Sequence, residues 1–124
     1  MSGMLLSDAI LTNTTDLVVI EGAVVIGGTG AVGAITGRYV SGIVRNATGN
    51  YTITLSGVLN KFLSFIPTFV GTTAAGVMSV QVDSETIGST GAVIVQCLNA
   101  SGVDVDPASG VTLRFEIHAR RSSI

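Results

Sequence analysis

The sequence predicts an all-β domain, and three observations carry that expectation. Residues Val111 to Arg120 alternate apolar and polar side chains without a break, as a strand with one buried and one wet face must. Clusters of Gly, Asn and Asp punctuate a series of short apolar runs, the spacing of strands joined by turns. No segment shows a 3.6-residue period, so helix should be minor, confined to a turn within Val58 to Leu63 or the first dozen residues. The fold class expected is an antiparallel β-sandwich of about seven or eight strands with an extended N-terminal arm.

The elements follow in order. Leu17 to Ile26 is a first long run rich in Val and Ile, with Gly22 placed at a bulge. Tyr39 to Arg45, the connection Asn46 to Asn50 and Tyr51 to Leu55 together predict a hairpin, with Tyr51, Ile53 and Leu55 on one face. Lys61 to Val70 is extended, and Pro67 marks it as an edge, a bulge or a bend. Met78, Val80 and Val82 alternate with Ser79, Gln81 and Asp83, and a polar loop runs from Ser84 to Thr90. Ala92 to Leu98 is a further strand, Asn99 to Gly110 a long turn region. The closing strand has Val111, Leu113, Phe115, Ile117 and Ala119 inside, and Thr112, Arg114, Glu116, His118 and Arg120 outside. Residues 1–37 read as an arm plus the first strand, and 38–124 as the compact sandwich, beginning near Arg38.

Composition narrows the function. Only 11% of the 124 residues are charged, against about 25% in ordinary soluble domains. Hydrophobic residues make up 47% and mean hydropathy is +0.65. A chain this size still exposes roughly a third of its unfolded surface after folding, and so few charges leave part of that surface apolar. Such patches mark interfaces, so a subunit of an assembly is expected. The net charge of −2 and the lack of a basic stripe give no reason to expect nucleic acid. Cys97 stands alone, which rules out an intrachain disulfide and suits assembly in a reducing cytosol. Leu17 to Ile35 and Phe62 to Val80 approach membrane-span length, but their Gly and β-branched content speaks against spanning helices, so no membrane is expected. The first residues lack a basic region followed by an apolar core, so no secretory signal is expected. The sequons at Asn13, Asn46, Asn50 and Asn99 then reflect a turn-rich composition.

Chemical motifs are sparse. Gly28-Thr29-Gly30-Ala31-Val32-Gly33 matches the dinucleotide fingerprint, which needs a helix to begin there and an acid about 20 residues on. The next acid after Glu21 is Asp83, so a bulged strand connection is expected instead, with no cofactor. His118 could act as a base for Cys97 or a serine, but its place on an outward strand face favours a solvated or paired histidine. Cys97 reads as a small buried side chain. Asp83, Glu85, Asp104 and Asp106 match no calcium loop and read as turn and surface residues, leaving no metal site. Arg38, Arg45, Arg114, Arg120 and Arg121 are the candidate interface residues, because a few Arg–carboxylate pairs can fix how a charge-poor subunit docks.

Gly37-Arg38-Tyr39 to Arg120 resembles the small jelly-roll virion proteins of tailed bacteriophages, which are similar in turn to the trimeric tumour-necrosis-factor-like sandwiches. The resemblance rests on Val44-Arg45-Asn46 leading into Thr48-Gly49-Asn50-Tyr51-Thr52-Ile53-Thr54-Leu55. It continues through Phe65-Ile66-Pro67-Thr68-Phe69-Val70 and the closing Asp106-Pro107 to Val111-Thr112-Leu113-Arg114-Phe115-Glu116-Ile117. It implies a jelly-roll-like, non-enzymatic homotrimer on the virion, assembled in the host cytoplasm. Its expected role is a capsid decoration (cement) subunit that binds the major capsid protein and stabilises the shell, with the arm draped over a neighbour. The alternative is a tail-fibre or spike head that binds a host surface receptor. The absence of a shaft-forming or collagen-like stretch favours the capsid role, and so does the lack of Trp, with Tyr39 and Tyr51 both expected on strands. A small enzyme using Cys97 and His118 is the third expectation.

Overall fold

The computed structural model describes residues 16–71, 77 and 79–121. Eight antiparallel strands form two four-stranded sheets packed face to face. They are β1 (Leu17–Ile26), β2 (Val32–Thr36), β3 (Val40–Ala47), β4 (Asn50–Leu55), β5 (Lys61–Val70), β6 (Ser79–Glu85), β7 (Ala92–Leu98) and β8 (Thr112–Arg120). The first sheet has the order β2-β1-β8-β5 and the second β3-β4-β7-β6. The chain is therefore an all-β sandwich. Among the described residues no helix is long and apolar enough to cross a membrane.

Period-2 patterning explains the two layers. On β8, Leu113, Phe115, Ile117 and Ala119 are buried together with Val111 just before it, while Arg114 is exposed and Glu116, His118 and Arg120 are half-buried. On β4, Tyr51, Ile53 and Leu55 alternate inward in the same way. These rows meet Val93, Val95 and Cys97 of β7 and Ile20, Val24 and Ile26 of β1 in one core. Each fully buried Ile or Val contributes roughly 1.5–3 kcal/mol relative to leaving it in water.

The sandwich begins earlier than the sequence suggested. β1 lies between β2 and β8, pairs with β8 from Leu17 to Val25, and sends Ile20, Val24 and Ile26 into the core. The expected boundary near Arg38 thus falls inside the domain, because the Gly-dense stretch before it is a tight return from β1 to β2. The arm before Asp16, with the Asn13 sequon, lies outside the described residues, as does Met78. The helical turn expected within Val58 to Leu63 is absent; a single 3-10 turn forms at Gly28–Gly30 instead. Tyr39 sits in the turn before β3 rather than on a strand. Pro67 lies on β5, an edge strand, the place in a sheet where a residue without an N–H is tolerated.

Gly22 is no bulge, since its pairing with Phe115 is continuous with its neighbours. It is a clearance: a Cβ there would lie 2.5 Å from Phe115 Cζ and 3.0 Å from Val40 Cγ2. The Phe115 ring cannot swing away freely because it is buried and stacked on Phe65, with centroids 5.6 Å apart. Gly22→Ala should therefore destabilise the protein by about 1–3 kcal/mol through overpacking, read as a lower denaturant midpoint. Combining it with Phe115→Leu, which removes the obstructing ring edge, should cost less than the two single changes added together.

Candidate functional site

Two places gather the polar chemistry of the described residues: a clasp at one end of the sandwich and the outer face of the first sheet. The clasp starts from the β3–β4 turn, where Gly49 takes a left-handed φ of 67°. A Cβ there would press within 2.8 Å of the Cys97 carbonyl and the Val105 backbone, so the turn docks tightly against the loop after β7. That loop presents Asp106. Its carboxylate accepts from Arg45 Nε at 3.1 Å and Nη2 at 2.8 Å, and from the Gly49 amide at 2.7 Å. Beside it the Tyr51 hydroxyl donates to the Gly30 carbonyl at 2.6 Å. Three chain segments are thereby pinned together.

The titration behaviour follows from these contacts. The Arg45 guanidinium holds Asp106 below the ordinary carboxylate value, outweighing burial, and the Gly49 amide adds to it. Burial pushes the Tyr51 hydroxyl up to about 12, and the Cys97 thiol likewise to about 12. A thiol held in that form is a poor nucleophile.

The outer face of the first sheet is built from five rows across β1, β8 and β5, read from the pairing register. They are Val25–Thr112–Val70, Ala23–Arg114–Thr68, Glu21–Glu116–Ile66, Val19–His118–Ser64 and Leu17–Arg120–Lys61. A polar spine on β8 thus runs between flanks where Val19, Val25, Ile66 and Val70 stay 39–50% exposed. Seven of the eleven exposed large apolar side chains lie on strands of this sheet and one, Val44, on strands of the other. The second sheet is instead dressed in amide and hydroxyl pairs. Asn46 donates to Asn50 and Thr52 at 2.8 and 2.7 Å, and Gln81 to Gln96 at 3.0 Å. Among the described residues, the exposed aliphatics on strands therefore concentrate on the first sheet.

The five candidate arginines separate. Arg38 and Arg114 line one open groove of about 380 Å³ with Val19, Glu21, Thr36 and Tyr39, and the Arg38 guanidinium lies 5.9 Å from the Tyr39 ring centroid. Arg45 is occupied within the chain by Asp106, on the other sheet. Arg120 pairs with Asp16 at 3.1 Å. Arg121 is exposed at the same end, its amide donating to the Asp16 carbonyl and its own carbonyl accepting from the Asn60 side chain. His118 Nε2 lies 3.0 Å from Glu116 Oε1. Cys97 points into the core from the second sheet while His118 faces outward from the first, so the pair that the enzyme alternative needed does not form.

At Gly28–Gly30 the 3-10 turn leads directly into β2, so the helix N-terminus that a dinucleotide phosphate would require is missing there. Among the described residues no group of three or more His, Cys, Asp or Glu could hold a metal ion. The sequence reading left Asp106 among surface and turn acids. Its partners Arg45 and Gly49 lie 61 and 57 residues away, and no local pattern announces them. No protein-family model, curated protein or solved structure matches the chain.

The clasp has a pH signature. Because the Asp106 pKa is lowered in the folded state, its contribution is present above the ordinary carboxylate value, 3.8, and is lost as pH falls through the folded value. Asp106→Asn should melt below wild type at pH 7, and the gap between the two melting temperatures should narrow steadily as pH drops from 5 towards 2.

Proposed function

We propose that this chain is a structural subunit of a bacteriophage virion: a capsid decoration (cement) protein that trimerises on the shell surface and holds neighbouring capsid subunits together. One observation carries the reading. The outer face of the first sheet leaves aliphatic side chains in water on both sides of a polar spine, in a protein with only 11% charged residues to keep it dispersed. Exposed aliphatics gathered on one face are a mark of association. The assignment to a virion rests on the resemblance of strand order and turn chemistry to the small phage proteins. The partner would be the major capsid protein, met in the host cytoplasm during assembly. Its role is mechanical, and modest affinity per copy suffices because a trimer engages several capsid subunits at once.

A tail-fibre or spike head is the second reading, and Tyr39 favours it. The ring is 52% exposed in a turn at the groove, with Arg38 beside it, an arrangement on which a sugar ring could stack.

Light scattering at low and high protein concentration tests the first reading. A persistent particle near three times 12.6 kDa that co-sediments with phage capsid shells is expected, and a monomer at every concentration overturns it. For the second, Tyr39→Ala should abolish retention on immobilised host glycans while leaving the particle mass unchanged; absence of any glycan retention by the wild type removes it.

A further inference from the structure

The outer face of the first sheet carries an electrostatic mismatch that the described residues do not resolve among themselves. Glu21 of β1 and Glu116 of β8 stand directly opposite one another in the register. Like charges in that position are unfavourable. Glu116 has the His118 imidazole at 3.0 Å, but Glu21 makes no ion pair among the described residues. One row along the same strand, Arg114 is exposed and likewise makes none. An acid and a base without ion-pair partners among the described residues therefore line the same grooves, with Val19 and Ile66 beside them and Val25 and Val70 one row beyond Arg114.

We propose that this face is where copies of the chain meet, with Arg114 of one copy set against Glu21 of the next among the exposed aliphatics of β1 and β5. The occupant is a second copy because the patch complements itself. It carries both signs a row apart, so a rotated copy brings base to acid while the apolar flanks cover each other. Around a closed three-membered ring each copy presents Arg114 to one neighbour and Glu21 to the other, so the same contact repeats at every boundary. The aliphatics supply the gain from leaving water, and the charges set register, since like charges brought together by a wrong register cost affinity. The proposal rests on the reading of the chain as a self-assembling subunit and names the surface that does it.

Charge reversal in trans tests it, using the full chain. Sedimentation velocity across a dilution series gives the concentration at which the assembly half-dissociates. Arg114→Glu and Glu21→Arg should each raise that concentration at least tenfold while far-UV circular dichroism stays at wild type. Mixing the two variants should bring it part of the way back to wild type, because in a mixed ring of three copies two of the three boundaries again set Arg against Glu. Rescue by mixing cannot arise from a contact within one chain. If wild type assembles but the reversals do not shift it, or mixing fails to rescue, this interface is wrong and the subunit reading stands. If wild type never assembles, the subunit reading itself falls. Ile66→Gln, which removes an exposed aliphatic without touching charge, should weaken assembly in the same direction. Should a reversal fail to fold, Ile66→Gln decides: an unchanged half-dissociation concentration overturns the proposal.

Discussion

The position of β8 between β1 and β5 is the constraint on which the rest of the structure depends. Its alternating sequence has one workable register, because a slip of one residue would turn Phe115 and Ile117 to water and Arg114 and Glu116 into the core. With the register fixed, the inner row completes the core against the second sheet and the outer row becomes the spine of the exposed face. Core and surface are thus two consequences of one pattern, and neither can be altered without testing the other. The Gly22 clearance belongs to the same constraint: the ring of Phe115 crosses over β1, and only a residue without a Cβ lets it.

The two ends of charge usage in this protein contrast sharply. At the clasp, Asp106 gathers a guanidinium and a backbone amide, so a half-buried carboxylate is well satisfied. Loss of that one charge would leave the Arg45 side chain and the Gly49 amide without their acceptor. On the outer face, Glu21 and Arg114 have no such satisfaction among the described residues. A protein with eight acids and six Lys or Arg residues has placed one pair to lock its own loops and left another facing outward.

Much of the fold was legible because period-2 alternation is local. Tyr51, Ile53 and Leu55, and the inner row from Val111 to Ala119, could be assigned to the interior from spacing alone, while the missing donor of Pro67 left an edge, a bulge or a bend open until the sheet order showed the edge. What was not legible depended on partners distant in sequence. The first strand looked like part of an arm because Gly27 to Gly33 interrupts it; its membership of the sheet comes from pairing with β8, some ninety residues on. Gly22 read as a bulge because a glycine in a strand has two meanings, and the ring that decides between them is Phe115. For the candidate site, the sequence singled out Arg114 and Arg38 on composition, but it also included Arg45, whose carboxylate partner lies across the loop after β7. A side chain's availability is a tertiary property, and alternation cannot report it.

An apolar outer face is expensive to keep in water, and its cost bears on why the clasp is so complete. Each exposed Val or Ile on the first sheet forgoes the roughly 1.5–3 kcal/mol that burial of such a side chain can return, so the isolated domain is stabilised only by its core and its end contacts. Association recovers part of that term, but only if the face is presented flat and in constant register, since ordering a loose surface on contact would consume much of the gain. The continuous β1–β8 pairing and the Phe65–Phe115 stack fix the register of that sheet within the chain itself. A sheet held in fixed register and left incompletely covered is the kind of surface the proposed assembly needs, because a neighbour would then meet it already formed.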